Sequence, residues 1–186
     1  PGPTTWKIFS LNDLPDSPSC DGGKLAFKKD SSGPVSYVYD PLDPVPTMGG
    51  AGMLAFILPG FEGAAPANVL QEGLCNRADG LSFVTPALDA SLLISGEISV
   101  NLEIASSAPD TAFTAKLMEV FPDGRAINIR DNITSLAYRD GGLNRLAYLP
   151  VDAINVTIDM WPIEWRVSSG LRIGLDISYS AFPKLH

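Results

Sequence analysis

From Glu97 to Ile104 the chain alternates: Ile98, Val100, Leu102 and Ile104 are apolar, and Glu97, Ser99, Asn101 and Glu103 between them are polar. A repeat of two places one set on a core and the other in water, which predicts a β-strand. The same alternation returns at Ile154, Val156, Ile158 and Met160, and again at Leu171, Ile173, Leu175, Ile177 and Tyr179, with polar or small residues between. Phe113, Ala115 and Leu117 alternate with Thr114 and Lys116, and the pattern runs on through Val120. "FPDGRAINI" follows, with Pro122, Asp123 and Gly124 placed for a tight turn, so this stretch predicts a hairpin. Shorter strands are expected at residues 6–9, 24–28, 35–39, 81–84 and 136–139.

No long segment holds a repeat of 3.6 with a cap at each end, and 17 Gly and 16 Pro punctuate the apolar runs. The chain therefore reads as all-β. Many short strands with turns between them, and no strand–helix–strand rhythm, predict a two-sheet sandwich of jelly-roll type. At 186 residues a single domain spanning 1–186 is expected, long enough to bury roughly 70% of its unfolded surface.

Charge narrows the partners. Thirteen basic residues stand against 21 acidic ones, a net charge of −8 that repels a phosphate backbone, so nucleic acid is not an expected partner. The longest apolar run, from Met53 to Pro59, is far short of the ~20 residues that span a bilayer, and "PGPTTWKIF" carries no signal pattern, so a soluble chain without a membrane partner is expected. Cys20 and Cys75 stand far apart in no metal-ligand spacing and read as ordinary thiols, a disulfide being the alternative.

Candidate chemistry dissolves under the same reading. A serine hydrolase needs a nucleophile on a sharp turn, usually G-x-S-x-G, and a histidine base. The motif is missing, and the one histidine is His186, at the chain end. No catalytic residue, metal ligand or cofactor is expected. Asp110, between Pro109 and Thr111, is placed to accept backbone N–H bonds as the chain enters a strand. Asp40 and Asp43 in "YDPLDPVP" read as turn formers beside three prolines, and Gly49, Gly50 and Gly52 as a loop that needs backbone freedom. Trp161 and Trp165 in "DMWPIEWR" are expected to be buried in a core or interface rather than to form a sugar platform. Asn132-Ile133-Thr134 and Asn155-Val156-Thr157 fit the glycosylation pattern, but such matches are common by chance.

Four segments in order, "YVYDPLDPVPTMGG" (37–50), "RADGLSFVTPAL" (77–88), "ASSAPDTAFTAKLMEVFPDGRA" (105–126) and "SGLRIGLDISYSAFPK" (169–184), together with the early "TTWKIFSLNDLPD", cover nearly the whole chain. In them the chain resembles the C-terminal domain of the X-Pro dipeptidyl-peptidase and cocaine-esterase superfamily of serine hydrolases. The resemblance implies a jelly roll of the galactose-binding-like kind, packed on an α/β-hydrolase domain and its helical cap, neither of which is in this chain. The Ser-Asp-His triad belongs to that other domain, and a loop of the jelly roll helps to wall its substrate pocket.

Three departures bear on this. Asp110-Thr111-Ala112-Phe113 stands where the family commonly reads D-T-D-F, and "PGFEGAAPANVLQEGLCNR" stands in place of the usual G-P-x-D-Q-R. The chain also ends at "FPKLH", where the family usually continues with an Arg-Asn segment and further strand, so either this member is short or more chain follows.

The expected function is that of a non-catalytic β-sandwich domain of a hydrolase acting on X-Pro dipeptide or acyl substrates. The alternatives are a free-standing carbohydrate-binding module and a structural or oligomerisation domain, with a homo-oligomer as the further possible partner. The irregular apolar segment from Gly49 to Gly63 must be covered by something, and Met53, Leu54 and Phe56 are its candidates for the domain interface or substrate pocket.

Overall fold

A computed structural model describes residues 7–12, 22–28, 33–46, 48–50, 68–71 and 77–182. Among the described residues eleven strands run in chain order: β1 (Ser10–Asn12), β2 (Gly23–Ala26), β3 (Leu70–Gln71), β4 (Leu81–Val84), β5 (Leu92–Gly96), β6 (Ser99–Ile104), β7 (Ala112–Val120), β8 (Ala126–Ser135), β9 (Ile154–Asp159), β10 (Ile163–Val167) and β11 (Arg172–Ser178). Seven form one sheet in the order β1-β2-β4-β11-β7-β8-β3, and the others pair as the ribbons β5–β10 and β6–β9. All pairs are antiparallel except β2–β4. The all-β reading holds, and no described helix is long and apolar enough to cross a membrane.

One core joins the three sheets. Phe83 of β4, Phe113, Ala115 and Leu117 of β7, and Ile173, Leu175 and Ile177 of β11 pack with Val100 of β6, Val156 and Ile158 of β9 and Val167 of β10. In the β6–β9 ribbon the alternation does what was expected of it. Val100, Val156 and Ile158 are buried, while Ser99, Asn101, Asn155 and Thr157 face solvent, where the Thr157 hydroxyl donates to Asn101 Oδ1 at 2.8 Å.

The hairpin also forms. β7 and β8 pair over their whole length with one irregularity at Leu117/Met118, and the Phe121 N–H donates to Arg125 O across the turn at 2.8 Å. Gly124 sits at φ 86, a left-handed conformation that glycine adopts without a steric penalty, and Asp123 accepts the Arg125 N–H.

Four expectations are corrected. β1 lies at Ser10–Asn12 rather than at 6–9, of which residue 6 lies outside the described residues. Residues 35–39 form no strand: Pro34 and Pro41 bracket them, and the rings of Tyr37 and Tyr39 pack against Tyr179 instead. Residues 136–139 do not form a strand, because Leu136–Tyr138 make a 3-10 turn whose Ala137 N–H is taken by Asp110 Oδ1 at 3.1 Å. The fourth concerns β11, whose polar face is not in water: Gly174, Asp176 and Ser178 are as buried as Ile173, Leu175 and Ile177. Val45 and Pro46, at the end of a strap formed by residues 33–46, adjoin that face beside Asp176 and Ser178, with the Val45 N–H donating to Ser180 Oγ at 2.9 Å and the Phe182 N–H to Val45 O at 2.8 Å.

Candidate functional site

Under the strap, a single guanidinium organises the chain. Arg77 and Asp79 are two residues apart in an irregular stretch before β4, which lets the Arg77 side chain turn back and grip the Asp79 carboxylate with two parallel bonds, Nε to Oδ1 at 2.8 Å and Nη2 to Oδ2 at 2.6 Å. Its remaining nitrogen Nη1 reaches Asp43 Oδ1 in the strap at 3.2 Å, and Nη2 also donates to the Asp43 carbonyl. From the end of β11, the Tyr179 hydroxyl donates to Asp79 Oδ2, and its ring stacks obliquely on Tyr39 with centroids 4.0 Å apart. Val45, Tyr179 and Tyr37 form a small second core beneath the strap.

The electrostatics follow from burial and pairing. Burial pushes Asp79 up, but the hydrogen bonds from Arg77 and Tyr179 outweigh it and hold the carboxyl below its usual value. Asp79 in turn raises Arg77, and burial followed by the Asp79 hydrogen bond pushes the Tyr179 phenol up to about 12. The Tyr37 hydroxyl is raised mainly by burial; it is enclosed and has no hydrogen-bond partner among the described residues. A groove of about 480 Å³ opens over this cluster, lined by Ser36, Tyr37, Val38, Asp40, Asp43, Arg77, Ala78 and Asp79.

A second polar cluster lies along the outer face of the large sheet. Ser82, Asp176, Lys116 and Asp131 stand opposite one another on β4, β11, β7 and β8. Ser82 Oγ donates to Asp176 Oδ1 at 2.5 Å, Lys116 Nζ donates to Gln71 Oε1 at 2.9 Å, and burial raises Asp176 above the usual carboxylate range. The space beside it, about 10 Å³, accommodates no more than one water, so this row is structural. A serine beside an aspartate suggests two members of a hydrolytic triad, but the base such a triad needs has no counterpart among the described residues, and His186 lies outside them. The described residues contain no group of three or more His, Cys, Asp or Glu able to hold a metal ion.

The residues singled out in the sequence distribute as follows. Met53, Leu54 and Phe56 lie outside the described residues, as do Gly52, Cys20 and Cys75. Asp110 is structural, though its backbone partner is Ala137, far along the chain, and its Oδ2 takes Arg145 Nη2 at 3.1 Å. Asp40 is the turn former expected, accepting the Leu42 N–H at 2.9 Å; Asp43 adds the unforeseen link to Arg77. Gly49 and Gly50 take φ of 73 and 85, as a loop of that kind requires. Trp165 packs on the core, one of the two places expected, while Trp161 is outside the core, 63% exposed with φ 65 on the corner between β9 and β10. With one ring in the core and the other outside, the pair does not form a platform for a sugar. Asn132 and Asn155 both lie within strands, β8 and β9. Sequence reasoning passed over Arg77 and Asp79; two opposite charges at a spacing of two in an otherwise uncharged stretch were the available signal.

The description X-Pro dipeptidyl-peptidase C-terminal non-catalytic domain matches residues 10–186. Cocaine esterase of Rhodococcus sp. (strain MB1 Bresler) is 38% identical over 149 residues, 80% of this chain but 25% of that protein, so the chain spans about a quarter of its relative's length. Among solved structures, an alpha-amino acid ester hydrolase superposes with a TM-score of 0.71 at 22% identity, over 90% of this chain and 28% of that one. An aminopeptidase from a marine sediment archaeon, Thaumarchaeota archaeon, superposes with 0.72 at 23% identity, over 97% and 31%. Extent of match and level of identity agree: this chain belongs to the family of X-Pro dipeptidyl-peptidase C-terminal non-catalytic domains.

Proposed function

We propose that the chain serves as the β-sandwich of a serine hydrolase of the X-Pro dipeptidyl-peptidase or acyl-esterase type, packing on an α/β-hydrolase domain with its cap and helping to shape the substrate pocket. The observation that carries this reading is the 38% identity to an esterase of which the chain covers 25%. A domain that accounts for so small a share leaves the chemistry to the rest of the enzyme. Its own clusters are consistent with that division: Arg77, Asp79 and Tyr179 are locked in mutual hydrogen bonds, and Ser82 is spent on a buried carboxylate.

Residues 1–186, purified alone, are expected to turn over neither aryl esters nor X-Pro aminoacyl substrates. Stoichiometric labelling of this chain by a serine-directed covalent probe would overturn the reading.

A further inference from the structure

Large apolar side chains stand beside the groove over Arg77. Val38 and Leu42, both from the strap, are 84% and 92% exposed, and Tyr39 beside them is about half exposed. Asp40 and Asp43, from the same stretch of the strap, line the groove with Val38. The sign of the charge is settled by the hydrogen bonds: Nε, Nη1 and Nη2 of Arg77 are already engaged by Asp79 and Asp43, so three lining carboxylates face one guanidinium that has little left to offer a ligand. Tyr37 lines the same groove. Large apolar side chains gathered beside unbalanced carboxylates mark a surface completed by another polypeptide.

We propose that this face, Val38 to Asp43 with the Arg77–Asp79 floor, seats the remainder of the parent hydrolase, which lays apolar side chains on Val38 and Leu42 and a lysine or arginine between Asp40 and Asp43. The inference rests on the reading that the chain is one domain of a larger enzyme. Two facts select that occupant. The chain covers only 25% of its curated relative and 28% and 31% of the matched structures, so a large body of protein is available to sit here. A second copy fits poorly, because a two-fold contact at this face sets Asp40 and Asp43 against themselves in a chain of net charge −8. A small cation would answer the carboxylates but leave Val38 and Leu42 in water.

The test is amide hydrogen exchange on residues 1–186 alone and on the intact parent enzyme. Amides of residues 36–43 and 77–79 are expected to exchange at least tenfold more slowly in the intact enzyme. Val38→Asp and Leu42→Asp, at positions too exposed to affect folding, should abolish that difference. Asp40→Asn keeps the acceptor for the Leu42 N–H and drops the charge, and should reduce the difference in part. Protection gained only on another face, or retained in Leu42→Asp, overturns the docking face while the parent reading stands; so does a dimer of residues 1–186 protected at these amides. If no surface gains protection in the intact enzyme, the parent reading itself fails.

Discussion

Asp176 is a carboxylate buried in the middle of a sheet, facing Lys116 across one strand pair and Ser82 across the other. Burial disfavours its charged form more than the Ser82 bond and Lys116 restore it, so its folded pKa lies above the unfolded value of ~3.9. A carboxyl raised on folding lowers stability at pH above its folded pKa, and that deficit disappears as pH falls toward the unfolded value. Asp176→Asn, which can still accept from Ser82, should therefore gain melting temperature relative to the native chain at pH 7 and lose that advantage by about pH 4. A melting-temperature difference independent of pH would show that Asp176 is not raised. Asp79 has the opposite sign, because Arg77 and Tyr179 hold it down; its contribution is present above pH ~4 and lost as pH falls through its depressed folded value.

At the scale of elements, the hairpin β7–β8 is held at its open end by Asp110. Its Oδ1 accepts from the Ala137 N–H, which is buried in the 3-10 turn, while its Oδ2 pairs with Arg145, a side chain mostly in solvent. The two bonds differ in value. Asp110→Ala leaves a buried donor unsatisfied and should cost about 1–3 kcal/mol. Asp110→Asn keeps an acceptor and gives up only an exposed ion pair, which is worth about 0–1 kcal/mol. Urea unfolding of the two variants checks this, and equal losses would assign the stability to the ion pair instead. The same residue explains why residues 136–139 look like a strand and are not: Leu136 and Ala137 are apolar enough, but the Leu136 N–H goes to Thr111 O and the Ala137 N–H to a side chain, which closes a turn.

At the scale of the whole molecule, β11 lies between two cores. Ile173, Leu175 and Ile177 belong to the main core, and Tyr179, at its end, belongs to the small core with Val45 and Tyr37. Ser178 bonds Thr114 Oγ1 on β7 at 2.5 Å and the Ser180 carbonyl at 3.1 Å, while the Ser180 hydroxyl holds the strap at Val45. The strap and the large sheet should therefore open together. The Val45 and Ile173 amides are expected to exchange with the same free energy of opening, and a Val45 amide that exchanges orders of magnitude faster would make the strap an independent unit.

The alternating runs at residues 98–104, 154–160 and 171–179, and the turn at Pro122–Gly124, by themselves determined that the chain is all-β and where several of its long strands lie, because a period of two and a tight turn are local properties of the backbone. The family was legible for a related reason, since its motifs are contiguous. What the tertiary structure alone decided is which polar residues leave water. Asp176 and Ser178 alternate like solvent-facing residues, and they become interior through neighbours brought together in space: Ser82, Lys116 and Thr114 on adjacent strands and Val45 and Pro46 of the strap. The Arg77, Asp79, Asp43 and Tyr179 cluster was illegible for the same cause: its members come from three segments distant in the chain, and a guanidinium fork is a statement about distances in space, which spacing along a sequence does not contain.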